Sequence, residues 1–172
     1  MRLKLAGILG AMALLLFGCP EPPNYPEYPV ISFDSFYAEG EVGYITIAFT
    51  DGDGDIGLTS TMTDAPYDTA SFYHNNMFVE YWEYNDALDQ WEHALDPLNE
   101  PITFKYRVPW ITPEGQNKAL KGTIQVKIEP NYRDLNSPYS DSIRYRVMLV
   151  DRELHESEWV FTPPIHNGVV VN

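Results

Sequence analysis

The sequence predicts an all-β protein, an antiparallel β-sandwich of about seven strands in immunoglobulin-like order, and two observations carry that prediction. From residue 30 onward apolar residues alternate with polar ones in short runs broken by turn residues. No stretch past the N-terminal segment holds ten residues of helical period, and Asn117 to Lys121 is at most one turn. About seven half-buried strands in a domain of this size favour two packed sheets over a closed barrel.

The chain opens with Arg2 and Lys4, followed by an apolar run from Leu5 to Phe17 and then Gly18 and Cys19. This is the layout of an export signal. Thirteen positions reach roughly 20 Å as a helix, whereas a hydrocarbon core needs about 30 Å, so the run is expected to be cleaved. Leu16-Phe17-Gly18-Cys19 resembles the lipobox of bacterial lipoproteins, which implies that residues 1–18 are removed and that Cys19 receives the lipid. The resemblance implies a mature protein anchored to the outer membrane, facing the periplasm or the cell surface. Cys19 is the only cysteine, so no intramolecular disulfide is available and stability must come from the core.

Residues 19–29 read as a tether. Pro20, Pro22, Pro23, Pro26 and Pro29 forbid helix and favour an extended spacer. Glu21, close behind the cysteine, resembles the surface-export signal of Bacteroidetes lipoproteins. Residues 30–172 are left for one β-sandwich domain, long enough to bury a core without staples.

Its strands follow in order. Ile31 and Phe33 open the first, and Ile45, Ile47 and Phe49 share a face of the second. Met77, Val79 and Tyr81 line one side of a third, opposite Phe78, Trp82 and Tyr84. Phe104, Tyr106 and Val108 alternate, as do Ile124, Val126 and Ile128, then Ile143, Tyr145, Val147 and Leu149. A last strand starts near Trp159. Leu58 to Asn76 is long for a hairpin connection, hence either a functional loop or a mobile one.

The full chain carries 11 basic and 25 acidic residues, a formal charge of −14. Two basic residues and no acidic one lie in the first 18, so the remainder is more acidic still. Such a surface repels phosphate backbones and attracts cations, which argues against nucleic acid as a partner.

Asp51-Gly52-Asp53-Gly54-Asp55-Ile56-Gly57 follows the second strand directly. Glycines between alternate carboxylates let the backbone curl, so that Asp51, Asp53 and Asp55 can converge on a hard cation. Calcium fits, because it takes 6 to 8 oxygens in adaptable geometry. Position six is Ile56 and position twelve is Met62, so this is not a complete EF-hand. Carboxylates about 6 Å apart repel by roughly 0.7 to 3 kcal/mol per pair, which a cation would relieve. The bland alternative is a hairpin turn made by Asp-Gly. In immunoglobulin-like order the loop after the second strand shares a pole with the loop before the last, where Asp151 stands, so Asp151 is the fourth expected ligand. Asp64 and Glu153 are weaker choices.

With these segments in view, the chain resembles Bacteroidetes lipoproteins of unknown function that carry a lipobox, a Pro-rich spacer and a Phe-Thr-Asp-Gly-Asp-Gly-Asp-Ile-Gly segment, here Phe49 to Gly57. The likeness extends over Pro29 to Phe33, Thr112 to Gly122, and Asp151-Arg152 to Thr162-Pro163. It implies a β-sandwich at the cell envelope and no known activity. Leu154 to Glu158 departs from the family's segment after Asp-Arg.

Catalytic constellations are missing from the sequence. There is no G-x-S-x-G elbow and no phosphate-cradling glycine loop, and His74, His93, His155 and His166 lack metal-ligand spacing. Glu80 and Glu83 fall on opposite faces of a strand, unable to flank one glycosidic bond. Hydrolase activity is the weakest reading, and a non-catalytic, calcium-stabilised module that binds or scaffolds an envelope protein is the strongest. Its rival is a glycan-binding accessory protein using Trp91 and Trp110, the tryptophans beside turns, on a polysaccharide.

Overall fold

The structure, a computed structural model, describes residues 24–113 and 117–171. The signal segment 1–18, Cys19 and the start of the tether lie outside the described residues, as does the centre of the stretch from Thr112 to Gly122.

Among the described residues ten strands form two antiparallel sheets. β1 (Val30–Glu39), β2 (Val42–Asp51) and β6 (Leu120–Ile128) make the smaller, in the order β1-β2-β6. The larger centres on β3 (Met77–Asn85) and β7 (Ser142–Leu149). One edge of β3 is shared by β5 (Thr103–Tyr106) and β4 (Gln90–His93), and the far edge of β7 by β8 (Val160–Phe161) and β9 (Ile165–His166). β10 (Val169–Val170) pairs with β9. Strands one, two and six facing three and seven is the Greek-key order of an immunoglobulin-like sandwich. The expected count of seven is corrected to ten. What reads as one edge strand on either side is two short ones: between β4 and β5 the chain leaves the ladder after Ala94 and rejoins it at Ile102, and between β8 and β9 Pro163 and Pro164 have no N–H to donate.

The alternation seen in the sequence builds the core. Ile45 stands opposite Val126 and Ile47 opposite Ile124 in one sheet, and Val79 opposite Val147 and Tyr81 opposite Tyr145 in the other. All eight are buried, in one cluster with Ile31, Phe49, Met77, Ile143 and Leu149. Each such aliphatic side chain is worth about 1.5–3 kcal/mol when fully buried. Tyr145 brings a hydroxyl into this interior and satisfies it by donating to the Tyr132 carbonyl. Tyr81 does so by donating to Glu83 Oε1 at 2.7 Å while accepting from the Asp134 amide at 3.1 Å. Those bonds fasten the β6–β7 connection across the end of the sandwich.

Strand direction fixes two poles. β1 starts where β2 ends, with Val30 opposite Thr50, and β3 starts where β7 ends, with Met77 opposite Leu149. The chain therefore enters at the pole that carries Asp51 and Asp151. The Pro26 carbonyl accepts a 2.7 Å bond from the Gly52 amide, so the end of the proline-rich segment runs against the aspartate loop.

The long connection from Leu58 to Asn76 is tied down. Arg107 donates to the carbonyls of His74, Thr59 (3.0 Å) and Met62 (2.7 Å). Phe72, which opens the 3-10 turn Phe72–His74, stacks flat on Phe78 with centroids 4.3 Å apart.

Candidate metal centre

Asp51 is the last residue of β2, and Asp151 follows β7 by two residues. Between them the loop turns back so that Ile56 pairs antiparallel with Asp151. That bridge joins the two sheets at the entry pole and brings the carboxylates together. Gly54 and Gly57 make the turn possible, at φ of +75° and +91°, where an L side chain is strained. A Cβ on Gly54 would lie 2.0 Å from the Lys118 carbonyl oxygen, and one on Gly57 would lie 2.1 Å from that of Pro109.

One carboxylate oxygen each from Asp51, Asp55 and Asp151 lies within 4.8 Å of the others. Asp51 and Asp151 are 0% and 1% exposed. Asp55 is half-covered as a residue. Its Oδ1 is nevertheless sealed from solvent, and so are Asp51 Oδ1 and Asp53 Oδ1, all three without a hydrogen-bond partner. The second oxygens are used. Asp51 Oδ2 accepts from the Asp55 amide at 2.9 Å, and Asp55 Oδ2 from the Glu153 amide at 3.1 Å. Asp151 is bonded through both oxygens to His155, to its amide at 2.8 Å and to Nδ1 at 2.9 Å. Each loop aspartate thus spends one oxygen on holding shape, or none, and keeps another sealed and unbonded.

Electrostatics expose the tension. Burial first, then the charges of Asp53 and Asp151, push Asp51 up to about 6 despite the Asp55 amide. Burial and the three neighbouring aspartates push Asp55 up to about 7, against the pull of Arg152. Asp151 is also raised, because its burial outweighs the bonds from His155, while the same contact raises His155. Carboxylates within 4.8 Å repel by roughly 3 kcal/mol per pair at an effective permittivity of about 20. Protons relieve that repulsion singly, whereas a divalent cation relieves it at once. The three aspartates form a buried cluster suited to a metal ion, offering oxygen donors alone. Compared with known proteins, the chain matches no family model, and no curated protein or solved structure is significantly similar to it.

Of the residues expected from the sequence, Asp51, Asp55 and Asp151 converge. Asp53 stands beside them with its own sealed oxygen. Asp64 is exposed on the long connection and takes no part, and Glu153 contributes its backbone amide.

Arg152 is the residue that sequence reasoning passed over. Its guanidinium donates to the carbonyls of Ile56 (2.9 Å), Gly57 (3.0 Å) and Gly54 (3.2 Å), and its own carbonyl accepts from the Tyr67 hydroxyl. It is therefore the clip that holds the loop in its curl, beside the acids. The Asp-Arg pair was visible, but nothing local says that its arginine reaches backbone a hundred residues away.

The two tryptophans fare differently. Trp110 is 43% exposed with its ring against Arg152, whose Cζ is 3.4 Å from the centroid. Trp91 is half-buried at the far end of the larger sheet, edge-on to Tyr84 and under Arg144.

Proposed function

We propose that this protein is a lipid-anchored, non-catalytic module of the bacterial outer membrane, held through Cys19, whose entry pole is locked by a calcium ion on Asp51, Asp53, Asp55 and Asp151. Its role is to bind or scaffold another envelope component. The observation that carries the metal assignment is the set of three sealed, partnerless aspartate oxygens in one loop. Calcium is favoured over transition metals because the donors are hard oxygens, and over magnesium because a cluster spread over two loops suits its larger and looser coordination.

The site is structural in this reading. It lies where the chain enters the domain and where Pro26 touches Gly52, so an ion there stiffens the junction between tether and sandwich. Extracellular calcium modules bind at about 10⁻⁴ to 10⁻³ M, which suits a compartment where the ion is plentiful.

The test uses the Cys19→Ala protein, which should leave the membrane fraction and stay soluble. Millimolar calcium should raise its melting temperature by several degrees, and Asp51→Asn should abolish most of that shift. Equal shifts in both proteins would reduce the loop to a turn, and retention of Cys19→Ala in membranes would defeat the anchor.

A further inference from the structure

The outer face of the larger sheet runs from the metal pole to the far end of the sandwich. Residues alternating with the core ones on β3 and β7 point away from the sandwich, and the two halves of that face differ. Toward the entry pole Phe78, Met148 and Val150 are buried, with Tyr73 and Trp159 packed on them. Toward the far end stand Trp82 and Arg144, opposite each other in the register, with Trp91 of β4 and Phe161 of β8 on either side.

Arg144 is the centre of this patch. Its Cζ lies 3.9 Å from the Phe161 ring centroid, 4.5 Å from Trp91 and 5.5 Å from Trp82. Rings on several sides fix the guanidinium plane, as cation–π contacts do. Yet Arg144 makes no ion pair among the described residues, and its Nε is buried without an acceptor. Neighbouring Arg146 has Glu80 at 3.5 Å, and Glu80 also meets His93 at 3.4 Å. In a chain this acidic, an arginine without an ion pair among the described residues, on a face paved with indoles, is a fixed, unanswered cation.

We infer that this face binds an acidic polysaccharide, with a uronate carboxylate on the outer edge of the Arg144 guanidinium and sugar rings against Trp91 and Phe161. The forked guanidinium matches a carboxylate in two parallel bonds. Aromatic rings beside it match the apolar face of a pyranose. An acidic peptide would satisfy the charge but not the flat aromatic surround, and nucleic acid, charged at every residue, is opposed by the net charge of the chain more strongly than a polysaccharide charged at every second sugar. The patch lies at the end opposite the chain's entry, so on an anchored protein it faces outward. That placement rests on the anchoring reading, whereas the binding itself does not.

The experiment measures binding of a hyaluronate octasaccharide to the full-length protein in mild detergent, by tryptophan fluorescence and calorimetry. Its carboxyl-reduced neutral counterpart and a poly-glutamate peptide of equal charge serve as comparators. The acidic sugar should bind at least tenfold more tightly than either. Arg144→Gln should lose that margin and Arg144→Lys should regain little of it, while both keep the wild-type calcium shift in melting temperature. Three outcomes overturn the assignment: no binding at millimolar sugar, equal binding of the neutral sugar or the peptide, or affinity unchanged in Arg144→Gln. None of them bears on calcium, which Asp51→Asn tests separately.

Discussion

At one pole of the sandwich acids gather with His155 and Arg152 beside them, and at the opposite end of the larger sheet Arg144 stands without an ion pair among the described residues. The two regions hold their charges differently. The aspartates sit in two loops joined by the Ile56–Asp151 bridge and tied by bonds from backbone amides to their carboxylates, so their convergence is imposed by the fold. Arg144 is held by rings alone. Crowding of like charge is a cost that protons or a bound cation would relieve, while a single stacked guanidinium costs little. The entry pole is therefore expected to answer for stability and the far face for recognition.

The sharpest way to break that division is through its two arginines. Arg152→Ala strips three carbonyls of their donor and removes the cation beside Asp55, and should cost about 3 kcal/mol in urea unfolding. Removing the Arg144 guanidinium should cost about 1 kcal/mol, the scale of a partly exposed cation–π contact. Equal losses would mean that both arginines are structural and that the far face is packing.

The next largest effect is on pH dependence. Asp51, ordinarily near 3.8, stands at about 6 and Asp55 at about 7, so the folded, ion-free protein binds protons more tightly than the unfolded chain. Stability then falls as pH rises between those values, and His155, also raised, acts in the same direction. Protein stripped by a chelator should be more stable near pH 5 than near pH 7.5. With millimolar calcium the slope should reverse, because the ion competes with the same protons and wins at higher pH. Melting curves at the two pH values, with and without calcium, check this. An unchanged slope on adding calcium would show that the acids are relieved by protons only.

How much of this was legible in the sequence differs between the two regions. Alternation on β2, β3, β6 and β7 gave the core faces, because strand period is a local property that burial reads directly. The aspartate loop was legible for the same kind of reason, since glycine spacing and carboxylates are adjacent in the chain. Even Asp151 could be placed, through topology, as a neighbour of Asp51. The Arg144 patch was not legible, because Trp82, Trp91, Arg144 and Phe161 come from four strands. Only the registers of β3 against β7 and β4, and of β8 against β7, bring them together. Trp110, singled out beside a turn, is exposed, and its ring also carries Arg152, a contact across some forty residues.

The smallest effect tests whether the far face is tuned by charge. Glu80 holds Arg146 at 3.5 Å and His93 at 3.4 Å, in a partly exposed arrangement of the kind worth about 0–1 kcal/mol. Glu80→Gln should therefore leave stability within about 1 kcal/mol of wild type. It should also leave Arg146, which lies over Trp159 and Phe161, as a second unanswered cation next to Arg144. If the face recognises anions, the acidic octasaccharide should bind two- to threefold more tightly to this variant, with the neutral sugar unchanged. A gain for both sugars would point to loosened packing, and no gain for either would confine recognition to Arg144 and its three rings.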